Sequence, residues 1–523
     1  MKEEPFDAIG LLENNDEEPS PSSLRCGPSS YEEMHNWPQE ALDKIEEEWG
    51  GRAAISRRLT KLLRVGCISL TTHFSGMGTA ELALEVMQRL FRSFLGEGEG
   101  VDNIETWSSC DQDVNCQKVL MSHAGVCAPK HIFGDMCEVL PVSWVSDWKG
   151  QIQAARRRLE TCGASERSNV LLQLSQAFLS NAMDRLASDP FLEGRRTTCV
   201  KCGRLCPHFP PKSKSGLVHI EVAGTVCVGF SSMGKRFAWL DDSVVPFLAW
   251  IWMMRTQQPA LIIHECVPQF DPDVLECCLN HGLSTAEQYK VSSLTFSPVD
   301  LGLPVERPRR YTVCFHNSKV SAFPEFTRYA FGGACFKSLV ADGNIFFAAS
   351  VDAMEAEQEL LAGRVHLPPR DGRGRTWPWT ALLTDGEYQR LKGYKRQLLD
   401  QGLQEGCFFV SLSQNAGYMK CRTDGLVPTL IRNTNLFRLM LGPRAKEPGM
   451  CRLAIPVELL GLQLFPVMLP SDHWLAGLVH FEDLFRSRTL PITAMRGMAG
   501  NGMCLAAVGS VMLYCLALSD FRR

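Results

Sequence analysis

The sequence lacks the features that mark membrane and secreted proteins. Its first residues, Met1 to Pro5, contain no apolar signal segment. The longest apolar run, Met503 to Leu518, is shorter than the roughly 20 residues that cross a bilayer. We therefore expect an intracellular protein with no membrane partner, in which this run forms a buried helix. The 21 cysteines are scattered, which favours free thiols in a reducing compartment.

The chain also lacks an overall basic charge. Its formal net charge of −4 excludes a protein that is cationic over its whole surface, although a local cationic cleft is enough to bind nucleic acid. No run of Lys and Arg indicates nuclear import. With 523 residues, of which 45% are hydrophobic, the chain is long enough for two or three domains and a large core.

The first 50 residues differ in composition from the rest. Acidic residues outnumber basic ones in residues 1–50, and Pro and Ser interrupt any apolar periodicity. This composition predicts a disordered acidic tail that leads into a short helix. The tail is either a docking or regulatory segment or a solubilising extension.

A strand, a glycine-rich turn and a helix follow in succession. The β-rich run Cys67 to Thr72 leads into His73-Phe74-Ser75-Gly76-Met77-Gly78-Thr79, and helical periodicity then continues to Leu90. Glycines let the backbone approach a ligand closely, and a helix N-terminus offers free amides. The pattern predicts a nucleotide-type site, although many α/β proteins need a tight turn at this place.

Two later strand ends carry carboxylates. The segment Asn103 to Ser109 precedes Cys110-Asp111, and His131 to Phe133 precedes Gly134-Asp135. Because the carboxyl ends of parallel strands meet at one edge, the pattern predicts a crevice above a mostly parallel sheet. Asp111 suits a contact with the hydroxyls of a ribose; alternatively, Asp111 or Asp113 caps the next helix.

Residues 139–215 interrupt this alternation of strands and helices. They contain two helical stretches and the cluster Cys199-x2-Cys202-x3-Cys206-x-His208. Three thiols and an imidazole at short spacing can form a tetrahedral zinc site. No second Cys-x-x-Cys follows, so a loop of free thiols is the alternative.

The alternation resumes at a fourth strand, Gly216 to Ala223, which enters the loop Thr225-Val226-Cys227-Val228-Gly229. A lone cysteine in such a loop is usually a packing residue. A fifth buried strand ends in Glu265-Cys266-Val267. Further on, Arg307 and Arg309 precede another strand and present two cations toward one site.

The order of these motifs resembles that of the cytosine-5 nucleic-acid methyltransferases, which use S-adenosylmethionine. Two later stretches extend the match: Arg452 to Pro466 is similar to the family's pre-terminal motif, and Gly500-Asn501-Gly502 to its final motif. The resemblance implies an α/β fold, with a Rossmann-like class I methyltransferase domain built on a mostly parallel sheet. It also implies a smaller target-recognition domain and a Cys-containing insert.

The resemblance divides the chain into six segments. They are the acidic tail 1–50, the cofactor half of the catalytic domain 51–138, the insert 139–215, the second part of the catalytic domain 216–318, the target-recognition region 319–485, and the C-terminal helix 486–523 that returns to the catalytic domain. In the recognition region, several arginines precede Trp377-Pro378-Trp379. They favour either phosphate contacts and base stacking or a solvated loop anchored by a buried Trp.

The family's roles carry over to single residues. Cys227 would be the nucleophile, Glu265 the acid that holds and protonates the base, and Arg309 a stabiliser of the ring with Arg307 beside it. The residues that would bind S-adenosylmethionine are Phe74, Ser75, Gly76, Gly78, Asp111, Asp135 and Asn501. The family usually has Glu at the position of Asp111, and proline and glutamine at the positions of Val226 and Val228.

The implied reaction is methyl transfer from S-adenosylmethionine to carbon 5 of cytosine in DNA, through a covalent Cys227 adduct on a flipped-out base. RNA is the alternative substrate; DNA is favoured because the recognition segment is large. An alternative comes from another class of function. The protein would then be a catalytically weak relative of this family that binds nucleic acid or a partner protein. The resemblance also implies a nuclear location, and zinc in the insert would be a structural cofactor. The oligomeric state is not indicated.

Overall fold

The computed structural model of the chain describes residues 24–65, 67–96, 101–188, 195–211, 216–225, 228–230, 237–367, 377–417, 421–447, 449–481, 484 and 489–522. Residues 1–23 of the predicted acidic tail, Cys227 with Val226, and three arginines of the recognition region lie outside these residues. Those arginines are Arg370, Arg373 and Arg375.

Helices and strands alternate along most of the chain. The α-helices are α1 (Trp37–Glu48), α2 (Gly51–Val65), α3 (Thr79–Leu95), α4 (Val114–Ser122), α5 (Val142–Thr161), α6 (Arg167–Ser188), α7 (Val244–Gln257), α8 (Pro272–Asn280), α9 (Arg328–Cys335), α10 (Val351–Arg364), α11 (Asp385–Asp400), α12 (Pro456–Gly461), α13 (Ile492–Asn501) and α14 (Leu505–Leu518). The strands are β1 (Arg25–Cys26), β2 (Ile68–His73), β3 (Ile104–Cys110), β4 (His131–Phe133), β5 (Arg196–Cys199), β6 (Arg204–Pro207), β7 (Val218–Gly224), β8 (Leu261–Cys266), β9 (Tyr289–Phe296), β10 (Arg309–His316), β11 (Val320–Ala322), β12 (Lys337–Ser338), β13 (Gly406–Ser411), β14 (Leu436–Leu441), β15 (Arg452–Leu453) and β16 (Asp520–Phe521).

The main sheet has nine strands in the order β6-β5-β4-β3-β2-β7-β8-β10-β9. The strands from β4 to β8 in this order run parallel, and β10 is antiparallel to both of its neighbours. The chain moves outward from β2 through β3 to β4 on one side and then through β7 and β8 on the other. The order therefore reverses between β2 and β7, which is the switch point where doubly wound sheets bind ligands. This sheet confirms the predicted Rossmann-like, mostly parallel α/β class.

The central strands are buried because helices cover both faces of the sheet. β2 and β8 are buried along their whole length, as expected for parallel strands between two helical layers. Alternate residues of β8 enter different cores: Leu261 and Ile263 join the core that contains α3 and α14, and Ile262 joins the core that contains α5, α6 and α7. Both layers therefore hold the ends of the strands in place.

The apolar run near the C-terminus forms part of the first core. Every residue of α14 is buried, and the helix packs against α1 and α3. Within the described residues, Thr493–Leu518 is the one segment long and apolar enough to cross a membrane, and 94% of its most apolar window is buried inside the protein. Since burying one Leu contributes about 1.5–3 kcal/mol, a helix of this kind stabilises the core strongly. The prediction of a buried helix is confirmed.

A smaller unit follows the main sheet in sequence. The antiparallel strands β13, β14 and β15 pack with α10 and α11 around a separate core that includes Trp379 and Tyr394. Trp379 is only 6% exposed, so it belongs to this core rather than to a stacking surface. Arg452 and Glu458 form a buried ion pair beside this core, with Nη1 of Arg452 2.6 Å from Oε2 of Glu458.

The insert after β4 extends the main sheet. Its hairpin, β5 and β6, adds two antiparallel strands at the edge beside β4, where Phe133 pairs with Cys199. The helices α5 and α6 pack with α7 in the second core. The two helical stretches predicted in this segment are thus present, as α5 and α6.

Candidate active site

The ends of five strands meet at one edge of the main sheet. In the sheet, His73 pairs with both Cys110 and Ala223, Cys110 pairs with Phe133, and Gly224 pairs with Glu265. The residues at or just after these ends therefore share the carboxyl edge, as the sequence predicts. They are Phe74, Asp111, Gly134, Thr225 and Glu265.

The first of these ends is a constrained turn. Phe74 and Gly76 have φ of 56° and Gly78 has φ of 84°. A left-handed backbone at a residue with a side chain costs about 1–3 kcal/mol, and it is typical of functional sites. A Cβ at Gly78 would lie 2.7 Å from Nε2 of His123, so only glycine fits there. The turn delivers the chain to the N-terminus of α3, whose first amides are free for a ligand.

Asp111 ties this turn to the end of β3. Its Oδ2 accepts a hydrogen bond from the Gly76 N–H (2.8 Å), and its Oδ1 accepts one from the Asp113 N–H (2.8 Å). Burial raises the pKa of Asp111 to about 6. Asp113 caps α4 by accepting from the Asn115 N–H at 2.8 Å. Helix capping therefore belongs to Asp113, and Asp111 joins the turn after β2 to the segment that precedes α4.

A buried carboxyl group supports the turn from inside the protein. Glu81, on the first turn of α3, is fully buried and accepts hydrogen bonds from Thr72 Oγ1 and Ser109 Oγ, both at 2.5 Å. Burial raises the pKa of Glu81. It connects the ends of β2 and β3 through their side chains. Sequence reasoning missed this residue, although Glu81 stands among apolar residues in the first turn of α3.

Asp135 and Asn501 approach the crevice from two other elements. Asp135 is exposed after β4, and its Oδ1 accepts from the Cys137 N–H at 2.9 Å. Asn501 is exposed at the end of α13. The turn after it packs on the crevice, because Met77 of the first turn lies 2.8 Å from where a Cβ of Gly502 would be.

The hydrogen-bond acceptors at this edge of the sheet fit S-adenosylmethionine. A ribose diol and an adenine amino group are hydrogen-bond donors, and Asp111 and Asp135 offer carboxylate acceptors from adjacent strands. A Cβ at Gly76 would meet no atom within 4 Å, so there is open space beside the turn. All of the predicted cofactor residues lie on the elements that border this edge.

One of these strands, β8, and its neighbour β10 place an ion pair at the same edge. Nε of Arg309 lies 3.0 Å from Oε1 of Glu265. Glu265 is the penultimate residue of β8 and Arg309 is the first residue of β10, which pairs with β8 in antiparallel register. Glu265 is 8% exposed. Because water has little access, charges here interact more strongly than at the surface.

Arg307 points into the protein and has a different set of partners. It is 3% exposed and donates hydrogen bonds to the carbonyl oxygens of Leu430 (2.9 Å), Gly500 (3.2 Å) and Gly502 (2.8 Å). Burial lowers its pKa to about 10. Arg307 thus joins the segment around Leu430 and the turn before α14 to the strand that carries Arg309. These contacts are those of a positioning residue.

The predicted nucleophile Cys227 lies outside the described residues, but both flanks of its loop are described. On one side, Thr225 is buried and its Oγ1 lies 2.6 Å from Nε2 of His264, next to Glu265. On the other side, Val228 is 51% exposed and Phe230 packs edge-on against Trp239. Sequence reasoning missed His264, which fastens the start of this loop.

The predicted metal cluster needs one correction. Cys199, Cys202 and Cys206 do come together, but the imidazole beside them is that of His131. His208 instead stacks on Phe133, with ring centroids 3.7 Å apart, and its Nε2 lies 2.7 Å from Thr197 Oγ1. The turn after β6 directs this side chain into the core, away from the three sulfurs.

No protein-family model matches the sequence, and no similar sequence is found among curated proteins. The solved structures that are similar to this one include three methyltransferases. A variant of DNMT2 from Spodoptera frugiperda is 12% identical at a TM-score of 0.36, with 85% of this chain and 98% of that chain covered. The Dnmt2 methyltransferase of S. pombe is 12% identical at 0.36, with 86% and 97% covered. The Entamoeba histolytica methyltransferase EhMeth is 11% identical at 0.37, with 86% and 97% covered. At this level of similarity, the function rests on the residues of the chain itself.

Proposed function

We propose that this protein transfers a methyl group from S-adenosylmethionine to carbon 5 of cytosine in DNA. The observation that carries the proposal is the Glu265–Arg309 pair at 3.0 Å, beside the loop that contains Cys227 and at the same sheet edge as Asp111. A nucleophile, an acid and a cation on neighbouring strand ends are the groups that this reaction needs.

Carbon 5 of cytosine is a poor nucleophile, and the groups at this edge can make it a better one. The Cys227 thiolate adds its electron pair to carbon 6, Glu265 gives a proton to ring nitrogen 3, and carbon 5 becomes electron-rich. S-adenosylmethionine supplies the methyl group on a positively charged sulfur. After carbon 5 has taken the methyl group, its own proton passes to water and nitrogen 3 returns its proton to Glu265. The double bond between carbons 5 and 6 is restored as the carbon–sulfur bond breaks, and the electron pair of that bond returns to the thiolate.

Arg309 and Glu265 are suited to hold the base during these steps. The Arg309 guanidinium can donate to the carbonyl oxygen of cytosine while Glu265 engages nitrogen 3 and the exocyclic amine. The carbonyl oxygen gains negative charge as the thiolate adds, so a fixed cation stabilises the adduct. In the absence of substrate, the two side chains neutralise each other. When the base separates them, Glu265 would take up a proton from solvent and could then give it to ring nitrogen 3.

S-adenosylmethionine would be held by the residues that border the crevice. Asp111 would accept hydrogen bonds from the ribose hydroxyls, and Asp135 would accept one from the adenine amino group. The turn from Phe74 to Gly78 would place backbone atoms against the cofactor, and Asn501 would contact it from α13. The metal cluster is not part of this arrangement.

The choice of DNA rests on the size of the recognition region, and the nuclear location rests on the resemblance. The smaller unit around β13, β14 and β15 belongs to that region. Lys392, Lys395 and Arg396 are exposed on its helix α11, where they can contact phosphates. RNA has the same phosphates, so the substrate has to be tested directly.

The proposal is tested by transfer of a labelled methyl group from S-adenosylmethionine to cytosine-containing duplex DNA and, separately, to RNA. We expect label in DNA as 5-methylcytosine, no label with Cys227→Ala, and full activity with Cys277→Ala, which removes an exposed thiol on α8. Label in RNA alone would change the substrate class. Cofactor binding without transfer to either polymer would overturn the enzymatic function.

A further inference from the structure

Four potential metal ligands converge where the insert meets the main sheet. The ligand atoms of His131, Cys199, Cys202 and Cys206 all lie within 4.8 Å of one another. Cys202 Sγ is 3.5 Å from His131 Nδ1. Around a tetrahedral zinc ion with ordinary bond lengths, a sulfur and a nitrogen ligand are about 3.5 Å apart and two sulfurs about 3.8 Å apart. The four side chains therefore surround a space of the size that one zinc ion requires.

Three separate elements bring these ligands together. His131 is the first residue of β4, Cys199 is the last residue of β5, and Cys206 lies in β6. Cys202 lies in the turn between the last two strands, which is closed by a hydrogen bond from the Gly203 N–H to the Cys199 carbonyl at 2.8 Å. The hairpin folds these cysteines together, and the sheet supplies the histidine.

Backbone amides point at the innermost sulfur. Cys199 Sγ accepts from the Cys202 N–H at 3.3 Å and from the Ile132 N–H at 3.4 Å. Amide donors stabilise a thiolate more than a neutral thiol, because they face the negative charge. They are the outer contacts that commonly orient and tune the ligands of a metal site.

The charges around the cluster suit a bound zinc ion. Three thiolates without a metal would repel one another, and Cys199 and Cys206 are buried, where charge is costly. Zinc with three thiolates and a neutral imidazole carries one net negative charge. Lys201 and Arg204 interact electrostatically with His131 and can balance that charge.

We propose that His131, Cys199, Cys202 and Cys206 bind a structural zinc ion. Four protein ligands fill the tetrahedron and leave no position for water or substrate, which distinguishes a structural site from a catalytic one. The ion fastens the β5–β6 hairpin to β4, where the sheet itself provides the single pair Phe133 and Cys199. Asp135 lies two residues after the end of β4, so the zinc site steadies the strand end that leads to this carboxylate.

Elemental analysis of the protein purified without chelators tests the site. We expect about one zinc ion per chain. His131→Ala and Cys202→Ser should lower zinc affinity at least roughly tenfold, as measured by competition with a coloured chelator. His208→Ala and Cys162→Ser should keep the zinc, since neither residue lies in the cluster. His131→Cys should also keep it, because a fourth thiolate completes the tetrahedron.

Cobalt gives a second measurement that does not depend on stability. Co²⁺ added to metal-free protein should show the visible bands of a tetrahedral site with thiolate charge transfer, and these should change with His131→Cys. Protein that contains no zinc and gives no such cobalt spectrum would overturn the site. Zinc lost with His208→Ala but kept with His131→Ala would overturn the assignment of His131.

Discussion

Nε of Arg309 lies 3.0 Å from Oε1 of Glu265, across two antiparallel strands at the edge where the parallel strands end. The pair is nearly buried, so removing either side chain leaves the other without its counter-charge. A cytosine base that entered the site would replace this contact on both sides. Its carbonyl oxygen would face Arg309, and its ring nitrogen 3 would face Glu265. In the proposed reaction, the ion pair would mark the position of the reacting ring.

Glu265→Gln keeps the shape of this side chain and removes its proton-donating role. We expect methyl transfer to fall by about 10²–10⁴-fold, the usual contribution of a positioned acid, with cofactor affinity unchanged. Steady-state transfer and calorimetric cofactor binding measure the two effects. Glu276→Gln, at an exposed carboxylate on α8, should leave both unchanged. Normal transfer by Glu265→Gln would remove Glu265 from the reaction.

Substitutions of Arg307 and Arg309 should have different effects on stability and on methyl transfer. Arg307→Ala leaves three buried carbonyl oxygens without their donor, so we expect the free energy of unfolding to fall by about 2–4 kcal/mol. Arg309→Ala should cost less stability and reduce transfer more. Urea denaturation and single-turnover kinetics of the folded variants separate these effects. Equal stability losses for both variants would contradict the assigned roles.

Cofactor affinity should depend on pH through Asp111. Burial raises the pKa of Asp111 from 3.8 to about 6, so the folded protein takes up a proton on Asp111 as the pH falls through 6. A protonated carboxyl is a weaker acceptor for ribose hydroxyls, and one pH unit below its pKa about a tenth of Asp111 is ionised. We expect affinity for S-adenosylmethionine to fall up to roughly tenfold between pH 7 and pH 5.

Asp111→Asn provides the control for this pH dependence. The amide does not titrate, so its affinity should be lower at pH 7 and nearly constant down to pH 5. The same raised pKa means that ionisation of Asp111 lowers the stability of the unliganded protein as pH rises from about 4 to about 6. Titration calorimetry at several pH values checks the affinity. An unchanged pH profile in Asp111→Asn would assign the dependence to another group.

The hydrogen bond between Thr225 and His264 should matter for the loop that contains Cys227. Thr225→Val keeps the shape but removes the hydroxyl that lies 2.6 Å from His264 Nε2. We expect stability to fall by about 1 kcal/mol and transfer to fall further, because the start of the loop is less well held. Thr225→Ser should retain the bond and the activity. If Thr225→Val transferred methyl groups at the normal rate, the bond would have only a packing role.

Local patterns were enough to predict the sheet edge. Phe74, Asp111 and Asp135 follow short strand-like runs in the sequence, and Glu265 follows the apolar run Leu261 to Ile263. Parallel strands align such ends at one edge. The helix after Gly78 and the buried helix α14 follow from apolar periodicity and length in the same way. These features depend on short stretches of sequence.

Features that depend on distant pairings were not predicted. His131 joins three cysteines that come much later in the chain, because the insert returns to pair with β4, whereas His208 is close in sequence but faces the core. Arg307 and Arg309 look equivalent in sequence, yet only Arg309 lies beside Glu265. The role of Arg307 depends on the carbonyls of Leu430, Gly500 and Gly502, which only the folded chain brings together.

The most direct test of the proposed reaction is the mass of the protein after incubation with S-adenosylmethionine and a DNA duplex containing 5-fluorocytosine. Fluorine at carbon 5 leaves no proton to remove after methyl transfer, so the bond between the Cys227 sulfur and carbon 6 cannot break. We expect a denaturation-resistant adduct whose mass equals protein plus methylated DNA, with the DNA attached at Cys227 in the digested protein. No adduct should form with Cys227→Ala. An adduct that persists in Cys227→Ala, or methyl transfer to unmodified DNA without any trapped adduct on the fluorinated duplex, would contradict the account.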